Sequence, residues 1–448
     1  MNTEKIDLFV PGMNGSRGYR IPAMIETKNG VIIAANDARI VSQRDNPNKI
    51  NNVVRRSHDG GKTWTETQTT VSFEGEGLAG PSAIDSSIIQ DKETNTVWIM
   101  YCHSPGGIGC RNSEMGSGFD EQGRRVLING QRQVHYIGED HHVYLRDSDE
   151  KTAYTTGNKG SVYLKEKQVG NIYQKFDELD SDNLFEIPTC FLQIIKSEDD
   201  GETWSEPVEL NIQVKEEWMR FIGPGPGVGI QLENSAYKGR LVFPIYYTNA
   251  ANYFSCAVVF SDDNGLTWSL SESPNDSRKM VAEDFSAEDL GKASTKYELT
   301  ESQAIELSNG DVVLYMRNHF GNGKVAKTVS KDGGKSWEPL VFDEQLINPI
   351  CQFSIIKYSE DTQLDRLIFL GPNSEKQRIN GTIRMSEDGG KTWPYEKLIA
   401  EGPFMYSSMA QLSDGSIGII YECEDEATGY VKSSYTSVTI DDIKEVVS

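Results

Sequence analysis

The chain has 448 residues, 37% hydrophobic and 25% charged, the balance of a globular protein large enough to bury a core without disulfide staples. Its formal net charge of −23 speaks against nucleic acid and against anionic membrane surfaces, since no basic stripe is present to neutralise phosphates. An anionic ligand can still be held where arginines converge locally.

The six cysteines form no CxxC pair and several lie in apolar runs such as CFLQII, so buried free thiols are expected rather than a disulfide framework. The histidines, including His141 and His142, show no HExxH or other zinc spacing, and no metal is expected. No apolar run of about 18 residues marks a membrane-spanning helix. The opening MNTEKIDLFVPG lacks the apolar stretch of a signal peptide, which leaves a cytoplasmic protein or a trimmed piece of an exported one.

In chain order, the first strand-like run is IDLFVPG, followed by GYRIP with Arg20 and by NDARIVSQRDN. Then comes the first copy of an eight-residue pattern, S-x-D-x-G-x-[TS]-W, as SHDGGKTW at Ser57 to Trp64. The copies that follow are SEDDGETW from Ser197, SDDNGLTW from Ser261, SKDGGKSW from Ser330 and SEDGGKTW from Ser386. Each is preceded by a β-like run: NNVVRR, CFLQIIK, CAVVF, KVAKTV and GTIRM. The pattern reads as a hairpin turn in which Ser and Asp side chains take backbone N–H groups, Gly supplies an unusual backbone conformation and Trp folds back as an apolar lid.

Successive copies start 140, 64, 69 and 56 residues apart. A spacing of about 60 residues suits one four-stranded propeller blade. The first interval exceeds that, and the surplus falls between Pro105 and Glu186. This stretch is polar but carries alternating pieces such as HHVYLRD and GSVYLKEK, so a small β-rich insertion is expected there. The fold class predicted is all-β: a six-bladed β-propeller over residues 1–104 and 187–448, with an inserted β-rich subdomain over 105–186. The blade without a pattern copy would be closed by the two chain ends, IDLFVPG and SSYTSVTI.

Five copies of the pattern resemble the Asp-boxes of the bacterial exo-α-sialidase (neuraminidase) family, and the insertion looks like that of its large secreted members. The repeats do not establish catalysis, because binding propellers carry them too. The resemblance extends, however, to the residues that the chemistry of sialic acid demands. Its anomeric carboxylate calls for clustered arginines with their planar forks. Its crowded anomeric centre favours a neutral tyrosine nucleophile over a carboxylate. Most glycosidases work with two carboxylates, and sialidases depart from that scheme by using tyrosine.

GYRIP resembles the segment that holds the first arginine of the family's triad, which makes that residue Arg20. Family members place a sugar-contacting arginine 19 residues later and the acid/base aspartate 25 residues later, at Arg39 and Asp45 here. Arg44 stands beside Asp45 and could lower its pKa. LTESQAIELSNGDVVLYMRN matches a hairpin with a base, Glu301, and the second triad arginine, Arg317. Glu306 competes with Glu301, but its alternation with Ile305 and Leu307 suggests a solvated strand face. The third arginine is Arg378, with Arg384 as its rival. FMYSSMAQLSDGSIGIIYE resembles the tyrosine strand, giving Tyr406 as nucleophile and Glu422 as the partner that orients Arg20.

The resemblance thus implies a retaining exo-sialidase acting on terminal α-linked sialic acids of glycoproteins, glycolipids and oligosaccharides through a sialyl-tyrosine, with no cofactor. The expected partner is a sialylated glycan, and the expected state a monomer. Two other readings stay open: a trans-sialidase with the same site, and a non-catalytic sialoglycan-binding propeller.

Overall fold

The computed structural model describes residues 5–249, 252–276, 298–359 and 364–445. Among these residues the chain is built almost wholly of antiparallel strands, with two short α-helices, Asn211–Val214 and Ile440–Lys444. The arrangement is propeller-like. All five runs preceding the repeated pattern are strands, and each pattern copy forms the turn that follows its strand.

The turns follow from local chemistry. In the first copy Ser57 Oγ accepts the Gly61 N–H at 2.9 Å, and Asp59 accepts both the Thr63 N–H, at 2.9 Å, and its hydroxyl, at 2.6 Å. Trp64 Nε1 donates to the Gly61 carbonyl at 3.0 Å. Gly61 is required twice over: its φ is +87°, and a Cβ there would lie 2.3 Å from the Tyr435 hydroxyl. The same Ser–Asp–Thr bonding recurs at Asp199, Asp263 and Asp388, and with Ser336 at Asp332.

Four sheets stand as separate blades, not the six predicted from the repeat. One joins the chain ends: Ile6–Phe9 pairs antiparallel with Val431–Val438, beside Ile417–Glu424 and Ser407–Gln411. The others are Leu299–Glu306 to Val341–Ile347, Ser354–Tyr358 to Tyr395–Pro403, and a five-stranded sheet centred on Leu241–Thr248 and Phe254–Ser261. The remaining propeller strands, Gly18–Glu26 to Val208–Glu209 with Gly227–Val228, form one nine-stranded sheet. The physical reason is a single parallel pairing, Ile50 with Ser82, that bridges a four-stranded half and a half of four strands joined by Gly227–Val228.

Between Val97–Ser104 and Phe191–Ser197, which pair with each other, the chain leaves to form a seven-stranded sheet of its own, from Val126–Asn129 to Leu184–Glu186. Leu127, Val143, Val162, Ile172 and Leu184 give this sheet a separate core. Five of the six cysteines are buried and all six are free.

Innermost segments of the blades converge on one axis. At one end they line a cavity of about 660 Å³ walled by Met24, Ile89, Val228, Ile305, Ile355 and Met409. At the other end lie the residues of interest. Register settles which end is which: Ser57 of the first turn pairs with Ile32, itself paired with Glu26, whereas Arg39 pairs with Gly18 at the opposite end.

Candidate active site

Three innermost strands share one irregularity at the same height. Register shifts between Arg20 and Ala23, between Ile84 and Ser87, and between Leu299 and Ser302. In each, two residues face one on the neighbouring strand, which is a β-bulge, and bulges re-aim side chains. Ile21 and Asp85 have φ of +61° and +64°. A β-branched residue resists that region, so surrounding contacts must hold Ile21 there. Its N–H donates to Glu422 Oε1 at 2.7 Å.

That contact is part of a larger fixture. Glu422 is fully buried and accepts from Arg20 Nε at 3.1 Å and Nη2 at 3.2 Å. This paired geometry sets the guanidinium plane. Glu422 belongs to the strand beside Tyr406, whose carbonyl accepts the Glu422 N–H at 2.8 Å.

Tyr406 stands just before Ser407–Gln411 with its ring buried. Its hydroxyl donates to Glu301 Oε1 at 2.5 Å and accepts from Arg317 Nη1 at 2.9 Å. Arg317 Nη1 also donates to Glu301 Oε2 at 2.6 Å. The three residues thus form a closed triangle drawn from two blades. Burial, and then the Glu301 charge, push the Tyr406 phenol well above its ordinary value against the pull of Arg317, Arg378 and Arg20. The resting tyrosine is neutral and its proton lies on the Glu301 side.

Arg20 and Arg378 flank the ring, their guanidinium carbons 5.3 and 5.6 Å from its centroid. Arg378 Nη2 donates to the Ile350 carbonyl at 3.0 Å. Arg20, Arg317 and Arg378 therefore surround one tyrosine, an arrangement that can hold a carboxylate in front of it. The rival Arg384 lies nearer the turn end of its strand, where it bonds Asn373 and pairs with Glu396.

Asp45 faces this group from the loop after Ile32–Arg39. Its Oδ1 accepts from Arg39 Nη1 at 2.8 Å and lies 3.9 Å from Arg20 Nη1, while its side chain remains 67% exposed. Desolvation by the cleft pushes the carboxyl up, but Arg39 and Arg20 outweigh it and hold it below its ordinary value. Arg44, named from the sequence as the neighbour that could lower it, is exposed; its backbone N–H bonds Ser42. Glu306 also departs from expectation. It is buried, not on a solvated face, because it caps a loop by accepting the N–H groups of Glu233, Asn234 and Ser235.

Sequence reasoning missed two carboxyls beneath the site. Asp37 accepts from Arg39 Nη2 at 3.0 Å and, being buried, is pushed up to about 7. Asp85 accepts from the Tyr246 hydroxyl at 3.1 Å; burial, Asp37 and Glu301 push it well above its ordinary value. The one signal for it was the acidic residue inside SAIDSSII, a strand otherwise of small and apolar side chains. His319, bonded to Thr300 Oγ1 at 3.0 Å, is held neutral by burial and by Arg317, its pKa lowered to about 3. No group of His, Cys, Asp and Glu suited to a metal ion occurs among the described residues.

The chain is 26% identical to an anhydrosialidase of Macrobdella decora, over 94% of this chain and 60% of that protein. It is 28% identical to a sialidase of Bacteroides fragilis, over 92% of this chain and 61% of the other. It thus spans about three fifths of these relatives' length. Among solved structures, an intramolecular trans-sialidase from Ruminococcus gnavus superposes with a TM-score of 0.82 at 25% identity, covering 99% of this chain and 98% of that one. Residues 177–419, more than half of the chain, match the BNR repeat-like domain, and the chain belongs to that family.

Proposed function

We propose that this chain is a retaining exo-α-sialidase that releases terminal sialic acid from glycans through a covalent bond to Tyr406. The observation that carries the reading is the Glu301–Tyr406–Arg317 triangle set between Arg20 and Arg378. A tyrosine whose proton already points at a carboxylate is a nucleophile with its base in place. Three arginines around it suit a substrate that carries a carboxylate on the carbon under attack. Relatives named sialidase or anhydrosialidase support the same substrate class.

In the first step Tyr406 Oη bonds the anomeric carbon and Glu301 takes the phenolic proton. The glycosidic C–O bond breaks, and its oxygen takes a proton from Asp45. Substrate binding favours the protonated Asp45, since the incoming carboxylate offsets the field of Arg20 and the sugar excludes water. In the second step Asp45 takes a proton from water, whose oxygen attacks the anomeric carbon. The bond to Tyr406 breaks, and Glu301 returns the proton to the phenolate. Two inversions give net retention. Arg39 orients Asp45 and contacts the sugar.

We read residues 1–104 and 187–448 as a six-bladed propeller, with the nine-stranded sheet counted as two blades bridged at Ile50 and Ser82, and 105–186 as an inserted subdomain. The substrate-free chain is taken as a monomer.

A second reading keeps every residue and changes the acceptor. A hydroxyl of the bound sugar replaces water, which gives an anhydro sugar; the likeness to an anhydrosialidase and an intramolecular trans-sialidase favours it. Proton NMR of the protein with α2,3- and α2,6-sialyllactose separates the cases. Free α-sialic acid as first product supports the hydrolase, an anhydro sugar supports the second reading, and no turnover of either substrate overturns both in favour of a binding propeller.

A further inference from the structure

The segment by which the insertion leaves the propeller is packed into the candidate site. Ile108 and Cys110 rest on a buried cluster that includes Ile84, Tyr246 and Phe254. Between them, Gly109 meets the loop that carries Asp45. A Cβ on Gly109 would lie 2.4 Å from the Asn46 carbonyl oxygen and 3.2 Å from Pro47 Cδ. Gly109 is not among the positive-φ glycines, so space, not conformation, requires glycine here.

Asn46 is fixed from the other side as well. Its Nδ2 donates to Ser104 Oγ at 2.8 Å and to Ser82 Oγ at 3.2 Å. Asn112 braces the segment internally, accepting the Gly109 N–H at 2.7 Å and donating to the Gly107 carbonyl at 2.9 Å.

The far end of the segment reaches another catalytic strand. Arg111 donates through Nη1 and Nη2 to Glu298 at 3.2 and 3.3 Å and lies 4.5 Å from the Phe254 ring centroid. Glu298 is buried, takes the Phe254 N–H as well, and precedes by three residues the Glu301 that bonds Tyr406. The segment therefore runs from the loop of Asp45 to the strand of Glu301. An acid must stand within hydrogen-bond reach of the departing oxygen, and a displacement of about 1 Å can cost about 10²-fold in rate.

We propose that this root of the insertion, through Gly109 and Arg111, is a positioning element that sets where Asp45 stands relative to the Glu301–Tyr406 pair. The inference rests on the reading of Asp45 as the acid. It assigns the insertion a part in catalysis that needs no contact between the insertion and glycan.

The test uses leaving-group dependence, which a merely structural defect would not produce. Gly109→Ala, Arg111→Ala and Asp45→Ala are compared in the full chain on 3′-sialyllactose and on 4-methylumbelliferyl α-sialoside. The aryl group departs with little help from an acid; the sugar alcohol needs it. Gly109→Ala is expected to lose about 10- to 100-fold in kcat/KM on sialyllactose and less than about threefold on the aryl sialoside. Arg111→Ala, at an exposed side chain, should show the same bias to a smaller degree, and it carries the test if Gly109→Ala does not fold. Equal losses on both substrates, or none on either, overturn the proposal. Asp45→Ala separates the two levels: if it shows no leaving-group bias, the acid assignment fails and the inference falls with it. If Asp45→Ala shows the bias and the root variants do not, the inference alone is wrong.

Discussion

Tyr406→Phe removes one oxygen and leaves a ring that is 5% exposed, with Arg20 and Arg378 still packed against it. Two hydrogen bonds are lost, to Glu301 at 2.5 Å and from Arg317 at 2.9 Å. Bonds to charged partners contribute about 1.5–3 kcal/mol each. Glu301 is not orphaned, because Arg317 still donates to it at 2.6 Å. The net cost to stability should therefore stay within about 3–6 kcal/mol with no added penalty for an orphaned carboxylate, a shift of a few degrees in Tm for a chain of this size.

Catalysis should suffer far more. Without the phenol no covalent intermediate can form, and kcat/KM should drop by about 10³ or more, roughly 4 kcal/mol of transition-state stabilisation. The arginine cluster is untouched, so a non-hydrolysable sialic acid analogue should bind within about threefold of the parent's affinity. Steady-state kinetics on an aryl sialoside, calorimetric titration of the analogue and a thermal melt read the three quantities. A folded variant that turns over within about tenfold of the parent would refute the nucleophile. Parallel loss of binding and turnover would make Tyr406 a structural residue.

Two further outcomes are expected. Arg378→Ala should raise KM by about 10-fold or more, from the loss of a charged hydrogen bond to the substrate, whereas Arg384→Ala should lower Tm and leave KM near its parent value; the opposite pattern would exchange the two assignments. In the turns, the Thr63 hydroxyl and N–H hold Asp59 at about 2; at Asp388 desolvation pushes the carboxyl up, but the Thr392 N–H and hydroxyl with Ser386 and Lys391 outweigh it and hold it at about 2, and Asp199, Asp263 and Asp332 are lowered against desolvation by the same bonding. Carboxyls depressed in the folded state stabilise it above the ordinary value of 3.8 and lose that contribution as pH falls towards 2. Tm should then decline between pH 4 and 2, less steeply in Asp388→Asn than in the parent, and an equal slope in both would contradict the assignment.

Short-range pattern carried most of what could be read from the sequence. The five turns need only an eight-residue motif, because the Ser, Asp, Gly and Thr that bond one another are at most four positions apart. The residues that meet at the tyrosine were also legible, since each lies in a segment with its own signature. Tertiary structure decided what depends on register and on distant chain. Glu301 and Glu306 occupy one strand, yet a bulge turns the first towards Tyr406 while the second caps a loop some 70 residues away in sequence. Arg378 and Arg384 likewise share one hairpin, and only the position along the strand separates the one beside the tyrosine from the one paired with Glu396. Asp85 gave little sign of itself, because its environment is made by Asp37, Tyr246 and Glu301 from three other strands. The bridge at Ile50 and Ser82 is a contact between backbones, which side-chain identity does not encode, and the crowding that reserves position 109 for glycine comes from Asn46 and Pro47, a distant part of the chain.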